Sequence, residues 1–434
     1  MTISDHLWPE DSPTFPSSRE YYEYLSSYVS KHNLLQYFQF NTSVTLLEKV
    51  GNSYSVTYQN PLGTFTKVFK YVLIATGLYS KPNHTIINPQ KFSGTIIHAG
   101  QYRNPSAFTG KKVAVVGISF SASDIACEAL QTAQSVTQIY RKKVLFAKRI
   151  INGTPIDFFM SSFKSINDKR PLEYNIETNA FNARTHIQNI QNPGELLEEW
   201  RITEEEIGSR YFLFPIVCDE YFEAVKRERI NYTKGNAVEF CGNGVVLDNG
   251  QVVEADVVVM GTGYLSDFEF LEESLRDLMK YDPSDRKFPL VRFRSCLHPE
   301  LPGLAFVGNY YTLITSHTEL SAEIGVRWIK GLLNVSKEEL WEGVRLEERQ
   351  RVETRNPVWA YDLRGLLQEF FRILNITFHP NLLQSLEYTT GPLSPVFFFQ
   401  GRENQLDLIK EFVRQIKLKY PNYPFNNPPT ETKI

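Results

Sequence analysis

The sequence is poor in cysteine and has no long apolar run. Its four cysteines, Cys127, Cys218, Cys241 and Cys296, stand far apart and form no C-x-x-C pair, which speaks against a zinc knuckle or a redox dithiol. No segment approaches the roughly 18 apolar residues of a membrane span, and the first residues lack the basic start and apolar stretch of a signal peptide. The sequence therefore predicts a cytoplasmic protein with no membrane anchor and no metal site.

Neither sign of charge dominates the chain. Lys and Arg together number 46 against 49 Asp and Glu, which leaves a net charge of −3 and argues against a bulk nucleic-acid binder. A hydrophobic fraction of 42% and a charged fraction of 22% are typical of a globular protein rather than a disordered one. At 434 residues the chain is long enough for two or more domains.

Hydrophobic periodicity predicts several elements before any motif is considered. Residues 17–31 have helical spacing and open with Ser17 followed by Glu20, the pattern of a capping box. The chain then alternates through a three-stranded meander that ends in an expected buried strand at Tyr71 to Ala75. A second hairpin is predicted over residues 236–254, with its turn at Asp248-Asn249-Gly250.

The segment VAVVGISFSASDIA at 113–126 predicts a buried strand, a turn of small residues and a helix start. The places of the three glycines in a dinucleotide-binding turn are taken here by Gly117, Ser119 and Ala122, so only the first is glycine. Backbone amides at a helix start bind a pyrophosphate whatever the side chains are, and Ser121 adds a hydroxyl. The pattern predicts a strand-helix-strand unit that binds a dinucleotide.

The next predicted strand ends in Tyr140 and Arg141, and Arg141 lies 24 residues after Gly117. In this fold that place holds the group that contacts the adenosine ribose. An acidic residue there selects NAD, whereas an arginine accommodates the 2′-phosphate of NADP. No acidic residue is present, so the sequence favours NADPH.

An internal echo suggests two similar nucleotide-binding domains. KYVLIATG at 70–77 and ADVVVMGTG at 255–263 are both apolar strands that follow a hairpin and close on a small-Thr-Gly step. Gly117 lies 146 residues before Gly263. A glycine at the same distance before Gly77 would lie ahead of Met1. We therefore expect the first copy to lack its opening strand and glycine-rich turn, as in an N-terminally truncated chain.

The stretch FSGTIIHAGQY at 92–102 places Phe92, Gly94, His98 and Tyr102 in an F-x-G-x-x-x-H-x-x-x-Y pattern. This pattern resembles the identifying motif of the flavin-containing monooxygenases, while the similar motif of Baeyer–Villiger enzymes continues with Trp in place of Tyr. The resemblance extends over about residues 1–331 through ATG (75–77), GTGY (261–264), LAFVGNY (304–310) and TELSAEIGVRWIKG (318–331). GISFSASDI is similar to the version in bacterial trimethylamine monooxygenases.

The resemblance implies an α/β fold with two Rossmann-like, three-layer ββα-type dinucleotide-binding domains. The FAD domain is expected to lack its first strand and its G-x-G-x-x-G turn, and a C-terminal helical extension follows. The expected domains are 1–107 for the first part of the FAD domain, 108–265 for the NADP domain with an irregular insert at about 155–235, 266–335 for the return to the FAD domain, and 336–434 for the extension.

The same resemblance implies an FAD- and NADPH-dependent monooxygenase, of the N,N-dimethylaniline monooxygenase type, that oxygenates soft nitrogen or sulfur nucleophiles through a C4a-hydroperoxyflavin. Its partners would be a small amine or sulfide and O₂, with a homodimer left open. No catalytic general base is assigned, because the flavin carries the chemistry. The residues implied as cofactor contacts are Gly117, Ser119, Ser121, Ala122, Tyr140 and Arg141 for NADP, Gly308, Asn309 and Thr318 for the flavin, and Thr76 and Thr262 at the crossings between the domains.

Three alternatives remain open from the residues alone. A Baeyer–Villiger oxygenase is disfavoured by Tyr102, and a dithiol flavoprotein reductase by the missing C-x-x-C pair. The missing first glycine-rich turn favours a third alternative, a truncated paralogue that binds NADP without catalysis. The residues at about 155–235 and 336–434 contain no motif that names a substrate.

Overall fold

A computed structural model describes residues 2–151, 153–155, 215–227, 229–285, 288–309, 315–353, 363–376 and 405–421. Most of the irregular stretch at about 155–235 lies outside these residues. The helices of the described part are α1 (Ser18–Lys31), α2 (Phe120–Ala129), α3 (Asp219–Lys226), α4 (Glu273–Leu278), α5 (Thr315–Ile329), α6 (Lys337–Glu353), α7 (Leu363–Leu374) and α8 (Gln405–Lys419). Short 3₁₀ turns lie at Leu35–Tyr37, Pro89–Lys91, Ala99–Gln101 and Pro105–Phe108.

The strands of the described part follow the meander and the strand-helix-strand pattern expected from the sequence. They are β1 (Ser43–Val50), β2 (Ser53–Asn60), β3 (Gly63–Phe69), β4 (Val72–Ile74), β5 (Lys81–Pro82), β6 (Thr95–His98), β7 (Lys112–Val116), β8 (Ser135–Tyr140), β9 (Leu145–Ala147), β10 (Ile150–Ile151), β11 (Thr154–Pro155), β12 (Pro215–Val217), β13 (Asn231–Lys234), β14 (Ala237–Cys241), β15 (Gly244–Leu247), β16 (Val252–Glu254), β17 (Val257–Met260), β18 (Tyr264–Leu265) and β19 (Leu304–Phe306).

The chain divides into two compact units. The first, unit 1, comprises Met1–Gly77, Asn152–Tyr174 and Asp267–Ile434, and the second, unit 2, comprises Leu78–Ile151 and Asn175–Ser266. The mixed α/β architecture with a parallel sheet confirms the predicted fold class. The domain limits expected from the sequence stay a proposal.

Unit 2 is built on a five-stranded sheet with the order β13-β8-β7-β17-β6, in which all neighbours run parallel. Successive side chains of a strand point to opposite faces, and both faces of this sheet are buried. On β7, Val113 and Val115 join one apolar cluster, while Ala114 and Val116 join the other. Helix α2 packs on the first of these faces. The predicted strand-helix-strand unit β7-α2-β8 is confirmed.

The predicted hairpin of unit 2 is also present, as the antiparallel strands β14, β15 and β16. Residues 248–250 form the turn between β15 and β16, and Gly250 has a φ of +82°, which an L side chain rarely adopts. This hairpin leads directly into β17, the strand between β7 and β6. Unit 2 therefore has the predicted order of a hairpin, a strand and a small-Thr-Gly step.

Unit 1 contains the antiparallel meander β1-β2-β3 and a parallel pair, β4 and β19. The predicted buried strand at residues 71–75 is corrected here. It is shortened to β4, and Tyr71 and Leu73 expose 44% and 39% of their surface. Within the described residues β4 pairs with β19 on one side, so its other edge is not covered as the edges of β17 are.

The core of unit 1 joins helices α5, α6, α7 and α8 to the chain at 288–297. Helix α1 begins with the predicted capping box, because the Ser17 side chain accepts from the Glu20 amide and Glu20 accepts from the Ser17 amide. In the described part of the chain no helix combines the length and the apolarity that crossing a bilayer requires. The described residues also hold no cluster of three or more metal-ligating side chains.

Candidate functional site

The turn after β7 in unit 2 requires glycine at its first position. Gly117 has a φ of +103°, and a Cβ there would lie 2.5 Å from the carbonyl oxygen of Gly261. The Gly117 amide donates to Ile139 O at 2.8 Å, which ties the turn to β8. The chain therefore leaves the sheet at the edge where the parallel strands end, the place where doubly wound folds bind ligands.

The start of α2 presents free polar groups at that edge. Ser119 is the N-cap residue and has extended backbone angles, yet its side chain makes no capping hydrogen bond. Ser119 and Ser121 are both exposed, and neither hydroxyl is bonded to another described residue. Unpaired amides in the first turn of a helix and uncommitted hydroxyls together form a donor set suited to an anion such as a pyrophosphate.

The third position of the turn shows how the structure tolerates Ala122. Its side chain is fully buried, and a Cβ on Gly261 would lie 2.7 Å from that of Ala122. Close packing of helix on strand needs a missing side chain at this contact. Here the missing side chain belongs to Gly261, at the end of β17, rather than to the helix. Sequence reasoning did not single out Gly261, although it stands in the GTGY step.

The carboxyl end of β8 carries the two residues assigned to the adenosine end of NADP. Val116 lies opposite Ile139 in the parallel register, so Tyr140 and Arg141 extend from the same edge as Gly117. Tyr140 is only 8% exposed and packs in the core of unit 2, whereas Arg141 is exposed and forms no ion pair with any described residue. Of the two, Arg141 has the side chain that is open to a ligand.

The motif at residues 92–102 packs inside unit 2. Phe92 stacks on Phe240 with ring centroids 5.6 Å apart. A Cβ on Gly94 would collide with the Asp256 carbonyl and the Phe92 ring, so only glycine lets β6 enter beside β17 here. The first two motif positions thus serve the packing of the sheet.

His98 is buried and held as a neutral imidazole. Its Nδ1 accepts from the Gly100 amide at 3.1 Å, so the proton is on Nε2, which donates to Gly263 O at 2.9 Å. Burial lowers the pKa of His98, the Gly263 hydrogen bond opposes this, and the nearby His84 lowers it further. His98 therefore fixes the turn after β17, the same turn that supplies Gly261.

Tyr102 connects the motif to α2. Its hydroxyl donates to Glu128 at 2.5 Å, and its ring stacks on Phe108 with centroids 5.5 Å apart. Burial and the Glu128 carboxylate both raise the pKa of Tyr102, so the hydroxyl keeps the proton that it donates. The motif thus supports the helix that carries the dinucleotide turn, and its Phe92 and His98 side chains are buried.

Unit 1 has a second strand edge of the same kind. Strands β4 and β19 are parallel, and the Val307 amide donates to Ile74 O at 2.8 Å, so Thr76 and Gly308 leave the pair at one edge. Thr76 is exposed, and Gly77 has a φ of +69° with nothing within 4 Å of an added Cβ. Residues 75–77 and 307–309 are therefore brought together, as the sequence order alone could not show.

The second edge also holds an unsatisfied acceptor. Asn309 is 1% exposed, its Nδ2 donates to Val307 O at 2.8 Å, and its Oδ1 has no partner among the described residues. The Gly308 amide donates to Ser321 Oγ on α5 at 3.1 Å, and a Cβ on Gly308 would lie 3.3 Å from the Thr318 methyl group. Gly308, Asn309 and Thr318 therefore form one local cluster in unit 1.

Thr262 differs from the other residues selected from the sequence. Its hydroxyl donates to Asn83 O at 2.5 Å within unit 2, so the hydroxyl proton takes part in a hydrogen bond of the fold. The selected residues thus separate into two sets. One set surrounds Gly117 in unit 2, and the other surrounds Gly308 in unit 1.

Comparison with known proteins gives one family. The model of the family described as flavin-binding monooxygenase-like matches residues 1–381 of the chain. Flavin-containing monooxygenase 5 of Cavia porcellus is 26% identical over 423 residues, which cover 92% of this chain and 75% of that protein. Dimethylaniline monooxygenase [N-oxide-forming] 2 of Mus musculus is 28% identical over 356 residues, covering 77% and 62%.

A solved structure shares the fold. OTEMO in complex with FAD and NADP superimposes with a TM-score of 0.60 at 14% sequence identity, over 83% of this chain and 84% of that one. At that identity the likeness shows the arrangement of the backbone and leaves the side-chain roles to be argued from this chain.

Proposed function

Because the chain belongs to the flavin-binding monooxygenase-like family, we propose that it is an NADPH- and FAD-dependent monooxygenase acting on a soft nitrogen or sulfur nucleophile. Family membership supports a flavin-dependent monooxygenase. The nicotinamide cofactor, the substrate class and the residue roles are the proposed part. The observation that carries the nicotinamide cofactor is the donor set of unit 2, where a glycine turn, a helix start without a side-chain cap and an arginine with no ion pair among the described residues share one strand edge.

The NADP site is proposed at this edge of unit 2. Gly117 allows the chain to turn, the first amides of α2 with Ser119 and Ser121 receive the pyrophosphate, and buried Ala122 seats the helix against Gly261. Arg141 would pair with the 2′-phosphate, since its guanidinium is exposed and has no ion pair among the described residues. Tyr140 contributes less to this proposal than the sequence suggested, because its ring lies in the core.

The flavin contacts are proposed at the edge of unit 1. The Asn309 Oδ1 is a buried acceptor that lacks a donor among the described residues, and a bound ring N–H would satisfy it. Thr76 and Thr318 are exposed around the same edge. The sequence has no G-x-G-x-x-G, so no turn is assigned to the FAD pyrophosphate. When bound, a flavin supplies hydride and oxygen chemistry, and the protein supplies orientation and exclusion of water.

The nitrogen or sulfur substrate class rests on the relatives. One of them is named as an N-oxide-forming dimethylaniline monooxygenase. No acid–base group is needed from the protein for such a substrate, because its lone pair is itself the nucleophile. The partners proposed are a small amine or sulfide and O₂.

A second candidate rests on the donor set of unit 2, which accounts for nucleotide binding without reference to a flavin. A chain that binds NADP through unit 2 but holds no flavin would bind the nucleotide without catalysis. This candidate and the monooxygenase predict the same behaviour of unit 2 and opposite behaviour in a flavin assay.

The test is an absorbance spectrum of the purified full chain, before and after NADPH under argon. A flavoprotein shows bands at about 370 and 450 nm that bleach on reduction, and it consumes O₂ when air returns. The monooxygenase is supported if the bands bleach with NADPH and the aerated protein then forms an N-oxide from N,N-dimethylaniline. A chain that stays colourless after incubation with FAD but binds NADPH supports the second candidate.

A further inference from the structure

A buried glutamine holds the dinucleotide turn of unit 2. Gln138 lies on β8 with none of its surface exposed, and its Nε2 donates to the carbonyl oxygen of Gly117. The Gly117 amide, on its other side, donates to Ile139 O at 2.8 Å. Both backbone polar groups of Gly117 are therefore bonded to consecutive residues of one strand. No prediction from the sequence included Gln138.

This contact fixes the direction of a peptide plane. In a trans peptide the carbonyl and the following N–H point to opposite sides. With the Gly117 oxygen drawn to Gln138 on β8, the amide of Ile118 faces away from that strand. If the Gly117 carbonyl pointed outward instead, its oxygen would repel the phosphate oxygens of a ligand. The outward amide of Ile118 attracts them.

The burial of Gln138 is not explained by the packing of the sheet. Val136 and Tyr140, which share the face of Gln138 on β8, are buried in one apolar cluster, and the Gln138 Oε1 has no partner among the described residues. Burying an amide with one unsatisfied atom is unfavourable, and an apolar side chain of the same size would avoid that penalty. The contact to Gly117 is the one hydrogen bond that the side chain forms in the described part of the chain.

We propose that Gln138 is a positioning residue that orients the Gly117–Ile118 peptide for a dinucleotide pyrophosphate. The inference rests on the proposed NADP site and adds a residue that does not touch the ligand. It also offers a reason why the turn functions with Ser119 and Ala122 in place of two glycines, since the backbone direction is imposed from β8.

The test compares two ligands in the full-length chain. NADP⁺ carries the pyrophosphate, whereas 2′-AMP carries only the phosphate expected at Arg141. The side chain introduced by Gln138→Met has a similar length and cannot donate a hydrogen bond. The variant should therefore bind NADP⁺ roughly tenfold more weakly, while its affinity for 2′-AMP changes by less than about twofold. Calorimetry gives both affinities. Val136→Ala is the matched control, because it weakens the packing of the same strand without touching Gly117.

Gln138→Glu provides a second test that keeps the size of the side chain. A buried carboxyl facing a carbonyl is favoured in its protonated form, which can donate to Gly117 O as the amide does. Its NADP⁺ affinity, relative to the native chain at each pH, should therefore recover as the pH is lowered from 8 toward about 5.5. A residue that serves only to fill space would show no such recovery.

The outcomes separate this inference from the function on which it rests. If the native chain does not bind NADP⁺, the NADP site fails and the role of Gln138 fails with it. If the native chain binds but Gln138→Met binds NADP⁺ equally well, or loses both ligands in the same proportion as Val136→Ala, only the role of Gln138 is overturned. A Gln138→Met chain that does not fold leaves the pH recovery of Gln138→Glu as the deciding measurement.

Discussion

Units 1 and 2 each contain an apolar strand that closes on a small-Thr-Gly step, but the surroundings of the two strands differ. In unit 2, β17 lies between β7 and β6, and its residues are at most 3% exposed. In unit 1, β4 ends in a similar small-Thr-Gly step, but Leu73 is 39% exposed and β19 is its partner among the described residues. The comparison teaches that an apolar run specifies a strand, whereas the neighbouring strands decide how deeply it is buried.

The strand ends differ in the same way. A Cβ at Gly117 of unit 2 meets the backbone of Gly261 at 2.5 Å, whereas a Cβ at Gly77 of unit 1 meets nothing within 4 Å. The edge of unit 2 is thus closely packed against its own backbone. The edge of unit 1 has open space beside Gly77, as far as the described residues show. The predictions that follow test this contrast.

The largest effect is expected from Gly117→Ala. The substitution adds a collision with the Gly261 carbonyl to a φ of +103°, and it should cost about 3 kcal/mol or more of unfolding free energy and abolish NADP⁺ binding. Gly77→Ala, at a φ of +69° in open space, should cost only about 1 kcal/mol. Urea unfolding monitored by tryptophan fluorescence measures both. Equal losses in the two variants would contradict the contrast between the edges.

The next effect concerns binding in unit 2 alone. Arg141→Ala removes an exposed guanidinium that has no ion pair among the described residues, so stability should change by less than about 0.5 kcal/mol. If Arg141 pairs with the 2′-phosphate, the variant should bind NADPH roughly 10- to 100-fold more weakly and NADH unchanged. Stopped-flow titration with each nucleotide measures this. Lys112→Ala, whose side chain pairs with Glu254, is the control for loss of a surface charge, and equal losses of NADPH and NADH would refute the phosphate contact.

The sequence predicted local structure well wherever a short-range rule decides it. The capping box at Ser17, the turn at residues 248–250 and the β7-α2-β8 unit all depend on neighbours in the chain, and all three are present. The motif at residues 92–102 predicted the family, which the match over residues 1–381 confirms. What His98 and Tyr102 contact could not be predicted, because their partners, Gly263 and Glu128, are set by tertiary packing.

The failures have the same physical origin. Strand β4 was expected to be buried because its residues are apolar, and burial depends on strands that the run itself does not encode. Gly261 and Gln138 were missed because each acts on the Gly117 turn from a different strand, and no spacing rule links them to it. The available signal for Gln138 was a polar residue on the same face of β8 as Val136 and Tyr140, which are buried.

A third prediction compares the strands themselves. Val258 on β17 is fully buried, so Val258→Ala should lower the free energy of unfolding by about 2 kcal/mol through lost burial and an unfilled cavity. Leu73→Ala removes a larger side chain from β4 but from a site that is 39% exposed, and it should lower the free energy by less than about 1 kcal/mol. Denaturant midpoints of the two variants measure the difference. A larger loss at Leu73 would mean that β4 is covered in solution.

The smallest effect is a pH dependence that should be stronger in unit 1 than in unit 2. Burial lowers the pKa of His298 from 6.5 to about 4, and it lowers the pKa of His98 against an opposing hydrogen bond to Gly263. Each histidine is held neutral in the fold, so the unfolded chain binds more protons below pH 6.5. Stability from His298 is therefore complete above pH 6.5 and is lost progressively as the pH falls toward 4. The pH dependence of the unfolding free energy between these values should weaken more in His298→Gln than in His98→Gln, and the reverse order would contradict the assignment of the larger pKa shift to His298.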